Sequence, residues 1–261
     1  MSSLIQVTVQ DAVATVTLHN PDKMGALSLE AMRQLTDAFT AIGDRDDVHA
    51  VILSSEGKVF SAGHDLTELR GAAEAQQREI FETCSELMLT IQNLPQPVIA
   101  KVHGLATAAG CQLVATCDLA VAAESARFAT PGVRIGLFCS TPMVALSRAV
   151  PQKVAMRMLL TGDPITADEA VQYGLVSDVV ADEELDDAVS TLAHRVAQAS
   201  ATTVSIGKRA FYEQLNVSTP EASAKMSQVM THNAVLPDAQ EGIGAFLEKR
   251  EPVWQHHASR R

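Results

Sequence analysis

Two stretches decide how this chain folds: Lys58-Val-Phe-Ser-Ala-Gly-His-Asp-Leu66 and His103-Gly-Leu-Ala-Thr-Ala-Ala-Gly-Cys-Gln-Leu113. Each reads as a strand, then a run of small residues, then the start of a helix. Small residues let a ligand approach the backbone, and a helix start leaves N–H groups without an intrahelical acceptor. Two such turns can aim two N–H groups at one carbonyl oxygen, where negative charge develops. The same pattern serves tight strand-to-helix packing, so periodicity alone leaves both readings open.

Outward from these turns, the first half repeats a strand–turn–helix unit. Residues 4–9 and 12–18 alternate as a hairpin around Gln10-Asp11. Ser28 is placed to cap a helix reaching about Ile42, with Leu29, Met32, Leu35, Phe39 and Ile42 on one stripe. Val48–Leu53, Val98–Val102 and Leu119–Ala123 read as strands, and Pro95 and Pro97 end a long helix. This repeat predicts an α/β fold. After about residue 141 the texture turns helical. Five acids within Asp182–Asp187 open a helix over 182–199 and read as favourable charge at a helix N-terminus rather than as a cation site. Three further helices are expected over 201–215, 219–232 and 238–250. A boundary near residue 200 divides a core, 1–200, from a helical region, 201–261.

The 261 residues are 47% apolar and 20% charged, which excludes disorder as the main state and allows a sizeable core. A net charge of −11 argues against a nucleic-acid partner, and no polybasic patch suggests a membrane surface. Cys84, Cys111, Cys117 and Cys139 form no C-x-x-C pair, and the histidines show no zinc spacing, so no metal site and reduced thiols are expected. The N-terminus lacks the features of a signal peptide, and no run nears the roughly 20 apolar residues of a membrane span. These features together predict a cytoplasmic, soluble protein.

The pair F-S-A-G-H-D-L and G-x-A-x-A-A-G-C-Q-L-x-x-x-C-D resembles the crotonase, or enoyl-CoA hydratase/isomerase, family, and within it the enoyl-CoA hydratase domain-containing branch. The resemblance continues through Pro21–Leu27, Phe128–Pro131, Thr161–Ala170, Gly174–Val176 and Glu241–Lys249, in order along nearly the whole chain. It implies a crotonase-like spiral of ββα units with a C-terminal helical region that assembles homotrimers or dimers of trimers. It implies an acyl-CoA thioester substrate in fatty-acid metabolism and no separate cofactor, coenzyme A being part of the substrate. The thioester carbonyl would sit between the backbone N–H groups of His64 and Ala109. His64 is read first as that backbone donor and second as an imidazole. By the same resemblance Lys23, Ala26, Ala62, Asp65 and Leu66 contact CoA, and Phe246 and Lys249 reach a neighbouring subunit's CoA. Lysine suits a phosphate as a point charge. Phe246, Leu247 and Trp254 are expected between subunits.

The chain also departs from its family. Hydratases of this kind carry two carboxylates, one activating water and one delivering a proton. Gln112 and Gly132 stand at those positions here. An isomerase-type carboxylate position holds Ser140, beside Cys139, and a Cys–His or Ser–His pair would suggest thioester hydrolysis. Cys139 otherwise reads as a small buried hydrophobe, as does Cys111. Gly25 replaces the family's usual Asn before Ala-Leu. The expected function is therefore an acyl-CoA-binding enzyme, nominally a lyase or isomerase, with ordinary hydration in question. The alternatives are a catalytically silent acyl-CoA-binding or assembly protein and a thioester hydrolase.

Overall fold

Strands β1 (Ile5–Gln10) and β2 (Val13–Leu18) pair antiparallel with Gln10 opposite Val13. Asp11 and Ala12 make the turn, both with positive φ (48° and 63°), the geometry that matches the twist of a two-residue hairpin. The computed structural model describes residues 3–255. β2 opens a parallel run through β3 (Ala50–Ser55), β4 (Val98–Val102), β6 (Leu119–Ala123) and β9 (Asp178–Val180), giving a six-stranded sheet in the order β1-β2-β3-β4-β6-β9. A second sheet has the order β5-β7-β8, from β5 (Leu105–Thr107), β7 (Arg127–Ala129) and β8 (Ile165–Thr166). Successive strand pairs thus give one strand to each sheet (β4 then β5, β6 then β7), which is the spiral of ββα units.

The helices are α1 (Leu29–Gly43), α2 (Leu66–Leu69), α3 (Glu74–Asn93), α4 (Ala109–Thr116), α5 (Ser140–Ala149), α6 (Gln152–Thr161) and α7 (Ala167–Tyr173). They continue as α8 (Leu185–Ala197), α9 (Ala201–Gln214), α10 (Thr219–Ala234) and α11 (Pro237–Glu248). Ser28 caps α1 by accepting the Ala31 N–H at 3.2 Å, and Met32, Leu35, Phe39 and Ile42 are buried as their stripe requires. β3 is buried along its whole length because both sheet faces are covered. Val51 and Leu53 face the core under α1 and α3, while Ala50 and Ile52 meet Leu185, Val189 and Ala193 of α8.

The acidic start of α8 is structural. Asp182 accepts from the Ser125 backbone N–H (3.1 Å) and hydroxyl (2.5 Å), and Asp186 pairs with Lys101 at 2.7 Å. Among the described residues no group of three or more His, Cys, Asp or Glu side chains is arranged to hold a metal ion. α9 is tied to the core by Lys208, whose buried ammonium meets Asp118 at 2.7 Å and the carbonyls of Ile91 and Gln96 at 2.9 and 3.0 Å. A buried cation needs such pairing, since removing one partner would leave an uncompensated charge. Among the described residues no helix is long and apolar enough to cross a membrane.

The first decisive stretch differs from its expectation. No strand covers Lys58–Phe60, while the expected helix does start at its N-cap Asp65, as the single turn α2. Isolated bridges, not a strand, hold that turn in place.

Candidate active site

The two turns are sewn together by backbone. The Ser61 N–H donates to Leu105 O at 3.1 Å and the Thr107 N–H to Ser61 O at 2.9 Å, so the first turn lies along β5. On its other side the Leu27 N–H donates to Gly63 O (2.8 Å) and the Asp65 N–H to Leu27 O (3.3 Å). In such a parallel bridge the flanking residues make both bonds, so the N–H of His64 itself points the other way. Gly63 has φ +83°, and a Cβ there would lie 2.9 Å from both Ala108 Cβ and Thr107 O and 3.2 Å from Ala109 N. Only glycine allows this approach. It brings His64 next to the N-terminus of α4, where Ala109 is the first helical residue. Neither the His64 nor the Ala109 backbone N–H has an acceptor among the described residues. Ala108, just before, is held at φ 51°, ψ −117°, a conformation alanine rarely adopts and one that strains the backbone by about 1–3 kcal/mol.

Both turns face a cavity of about 440 Å³. Ala62, His64, Leu66, Leu69 and Thr107–Ala109 form one wall, with Phe81 of α3. The rest of the lining comes from the loop from Pro131 to Cys139 and the first turn of α5. The lining is largely apolar and contains no Asp or Glu. The His64 ring stands edge-on to Phe81, with centroids 5.4 Å apart and planes at 83°. Both of its ring nitrogens are buried and lack a hydrogen-bond partner. Burial pushes the imidazole pKa down, and the nearby Leu27 carbonyl opposes this without meeting hydrogen-bond geometry, so the ring is neutral near neutral pH. The hydroxyls of Thr107 and Thr130 are also buried without partners. Apart from Gln96 Oε1, every orphaned buried side-chain atom among the described residues belongs to these three residues.

At the positions of the missing carboxylates the structure is specific. A Cβ at Gly132 would lie 1.9 Å from Leu137 O and 2.8 Å from Cys139 Sγ, and the Leu137 N–H donates to Gly132 O at 2.9 Å. The loop has closed over the place a side chain would need. Gln112, buried one turn into α4, does not line the cavity; the Cys84 thiol donates to its Oε1 at 3.8 Å. Cys139 and Ser140 do line it. Burial pushes the Cys139 thiol up, with the Gly132 backbone opposing, so it is no ready thiolate. The Ser140 hydroxyl donates to Phe138 O at 3.4 Å, and neither group pairs with His64. Cys111, pushed up to about 12 by burial and the neighbouring Cys139, is packing.

Of the residues assigned to CoA, Ala62 and Leu66 border the cavity. Lys23 and Asp65 pair with each other at 2.8 Å, and Asp65 also caps α2 by accepting the Thr67 N–H at 3.0 Å. The Lys23 ammonium and the Thr67 hydroxyl hold the Asp65 carboxyl below the usual carboxylate range. Ala26 is buried, its carbonyl accepting from Asn20 at 3.2 Å, and does not line the cavity. Phe246 and Lys249 stand exposed at the end of α11, away from the lining. Leu247 is exposed too, but Trp254 packs on its own chain, against Gly242 and with its indole N–H on Gln198 O at 2.8 Å. Sequence reasoning missed Phe81 and Thr107 as lining residues, and the orphaned hydroxyl of Thr130, next in the chain to Pro131. Phe81 carried no motif; the two threonines lie inside or beside the stretches that did.

A spiral of paired strands, with two small-residue turns bordering an apolar cavity, defines a crotonase-fold protein. The enoyl-CoA hydratase/isomerase family model matches residues 8–257, and the chain belongs to that family. Rat "enoyl-CoA hydratase domain-containing protein 3, mitochondrial" is 50% identical over 248 residues, covering 95% of this chain and 83% of that protein. An enoyl-CoA hydratase from Mycobacterium smegmatis superposes with a TM-score of 0.95 at 45% identity, covering 97% of this chain and 99% of that one. The human enoyl-CoA hydratase domain-containing protein 3 superposes at 0.93 with 50% identity, covering 97% and 100%. These comparisons correct one expectation. The domain-containing relatives are mitochondrial proteins by name, which overturns the cytoplasmic location. Composition and the lack of long apolar runs report on contact with solvent and lipid, not on the compartment.

Proposed function

We propose that the chain binds an acyl-CoA thioester with its carbonyl oxygen between the N–H groups of His64 and Ala109, and acts on it without the two-carboxylate chemistry of hydration. The observation that carries this is the pair of backbone donors left without acceptors, brought together by Gly63 on the wall of an apolar cavity. Donors fixed in place where charge develops stabilise an enolate without reorganising at the moment of reaction. CoA itself lies along Lys23, Ala62 and Leu66, with Phe246 and Lys249 serving the site of a neighbouring copy, and no further cofactor takes part. The exposed Phe246 and Leu247, and the absence of any buried residue on α10, support assembly as a homotrimer or dimer of trimers.

A second reading, a silent acyl-CoA-binding protein, draws on the cavity's lack of carboxylates and the closure at Gly132. Thioester hydrolysis has less support, because no nucleophile–base pair forms at Cys139 or Ser140. Calorimetry with crotonyl-CoA and with free CoA, alongside hydration kinetics, tests the proposal. The thioester should bind more tightly than CoA, and hydration should run about 10²–10⁴-fold below a two-carboxylate enzyme. Efficient hydration, unchanged in Gln112→Ala, would show that another acid and base are at work. Light scattering at micromolar concentration tests the assembly, and a monomer would contradict it.

A further inference from the structure

The geometry points to the His64 imidazole as the base of this site, taking a proton from the α-carbon of a bound acyl-CoA whose thioester carbonyl the same residue's N–H holds. This deepens the function proposed above and rests on it. Natural structures rarely bury a polar ring without partners. Here both nitrogens are buried without partners, His64 lines the cavity, and Phe81 stands edge-on to the ring. The other ionisable groups of the lining do not compete. Arg134 is committed to the Thr161 carbonyl and the Asp163 carboxylate, and Cys139 is a buried thiol.

An imidazole suits an apolar cavity better than a carboxylate does. It is neutral at rest, so burying it desolvates no ion. Its cation forms only as the carbonyl oxygen becomes an enolate oxygen beside it, and the two charges arise together where their attraction is strong. In the step, the Cα–H bond breaks and its electron pair moves into the thioester to give the enolate. The proton goes to a ring nitrogen, and the enolate oxygen is held by the N–H groups of His64 and Ala109. Reversal returns a proton to Cα. The substrate class is an acyl-CoA bearing at least one α-hydrogen.

The experiment follows deuterium uptake at Cα of butyryl-CoA in heavy water by mass spectrometry, with parallel calorimetry of butyryl-CoA binding. The parent protein, His64→Gln and His64→Ala are compared after circular dichroism confirms their folds. Imidazolium protons exchange with solvent, so the parent should load deuterium. Both variants should lose about 10²–10⁴-fold of that rate, compared at butyryl-CoA concentrations that calorimetry shows to saturate each protein. Binding by the parent without uptake would overturn the assignment, as would variants that exchange at the parent's rate. A parent that does not bind butyryl-CoA would instead remove the acyl-CoA reading itself, and this inference with it.

Discussion

The two walls of the cavity solve different problems with different material. One, from Ala62–His64 and Thr107–Ala109, presents main-chain donors held by a web of backbone bonds. The other, from Pro131 to Cys139, is where side-chain chemistry is expected, and there the chain has closed on itself over Gly132. Main-chain donors depend on shape and tolerate most side chains. Side-chain acids vanish with a single substitution, and the space they occupied can then be filled. The contrast teaches that main-chain donors can stand in place where the carboxylates of a hydratase are absent, and that the two walls should respond separately to mutation.

Ala109→Pro should have the largest effect. Proline is tolerated at the first position of a helix but removes the N–H, so any thioester turnover should fall by about 10²–10³-fold, or about 2.7–4 kcal/mol. Kinetics with a circular-dichroism control checks this, and a fully active variant would break the contrast. Gly132→Ala should come next, as a stability effect. Its Cβ would collide with Leu137 O, costing about 1–3 kcal/mol, read as a melting temperature lowered by several degrees. For the same reason Gln112→Glu combined with Gly132→Glu should not restore hydration; efficient activity in that double variant would show the closed wall to be pliable. Ala108→Gly should have the smallest effect and the opposite sign. Relief of its positive φ should raise stability by about 1 kcal/mol, measured by urea unfolding, and a loss would mean the alanine methyl contributes packing that outweighs the strain.

Much of this was legible in the sequence where the signal is local. The Ser28 cap, the α1 stripe and the hairpin at Asp11 follow from residue types at fixed spacing. The departures at Gln112 and Gly132 were visible through the family resemblance. β8 and β9, of two and three residues, are too short for any periodicity to show. The turn after Phe60 looked like the end of a strand entering a helix because its small residues fit that form; its actual supports are Leu27 and Ala106, distant in sequence. The same limit hid the state of the His64 ring. That Phe81 lies against it and nothing bonds to it depends on how α3 packs. The blockage at Gly132 likewise arises only once Leu137 folds back.

The central claim is that two backbone donors clasp a thioester carbonyl. The infrared stretch of an acyl-CoA labelled with ¹³C at that carbonyl, bound to the parent protein and to Ala109→Pro, tests it most directly. The stretch should shift to lower frequency in the parent relative to free thioester, with most of that shift lost in the variant. A bound carbonyl in the parent that absorbs where the free thioester does would contradict it.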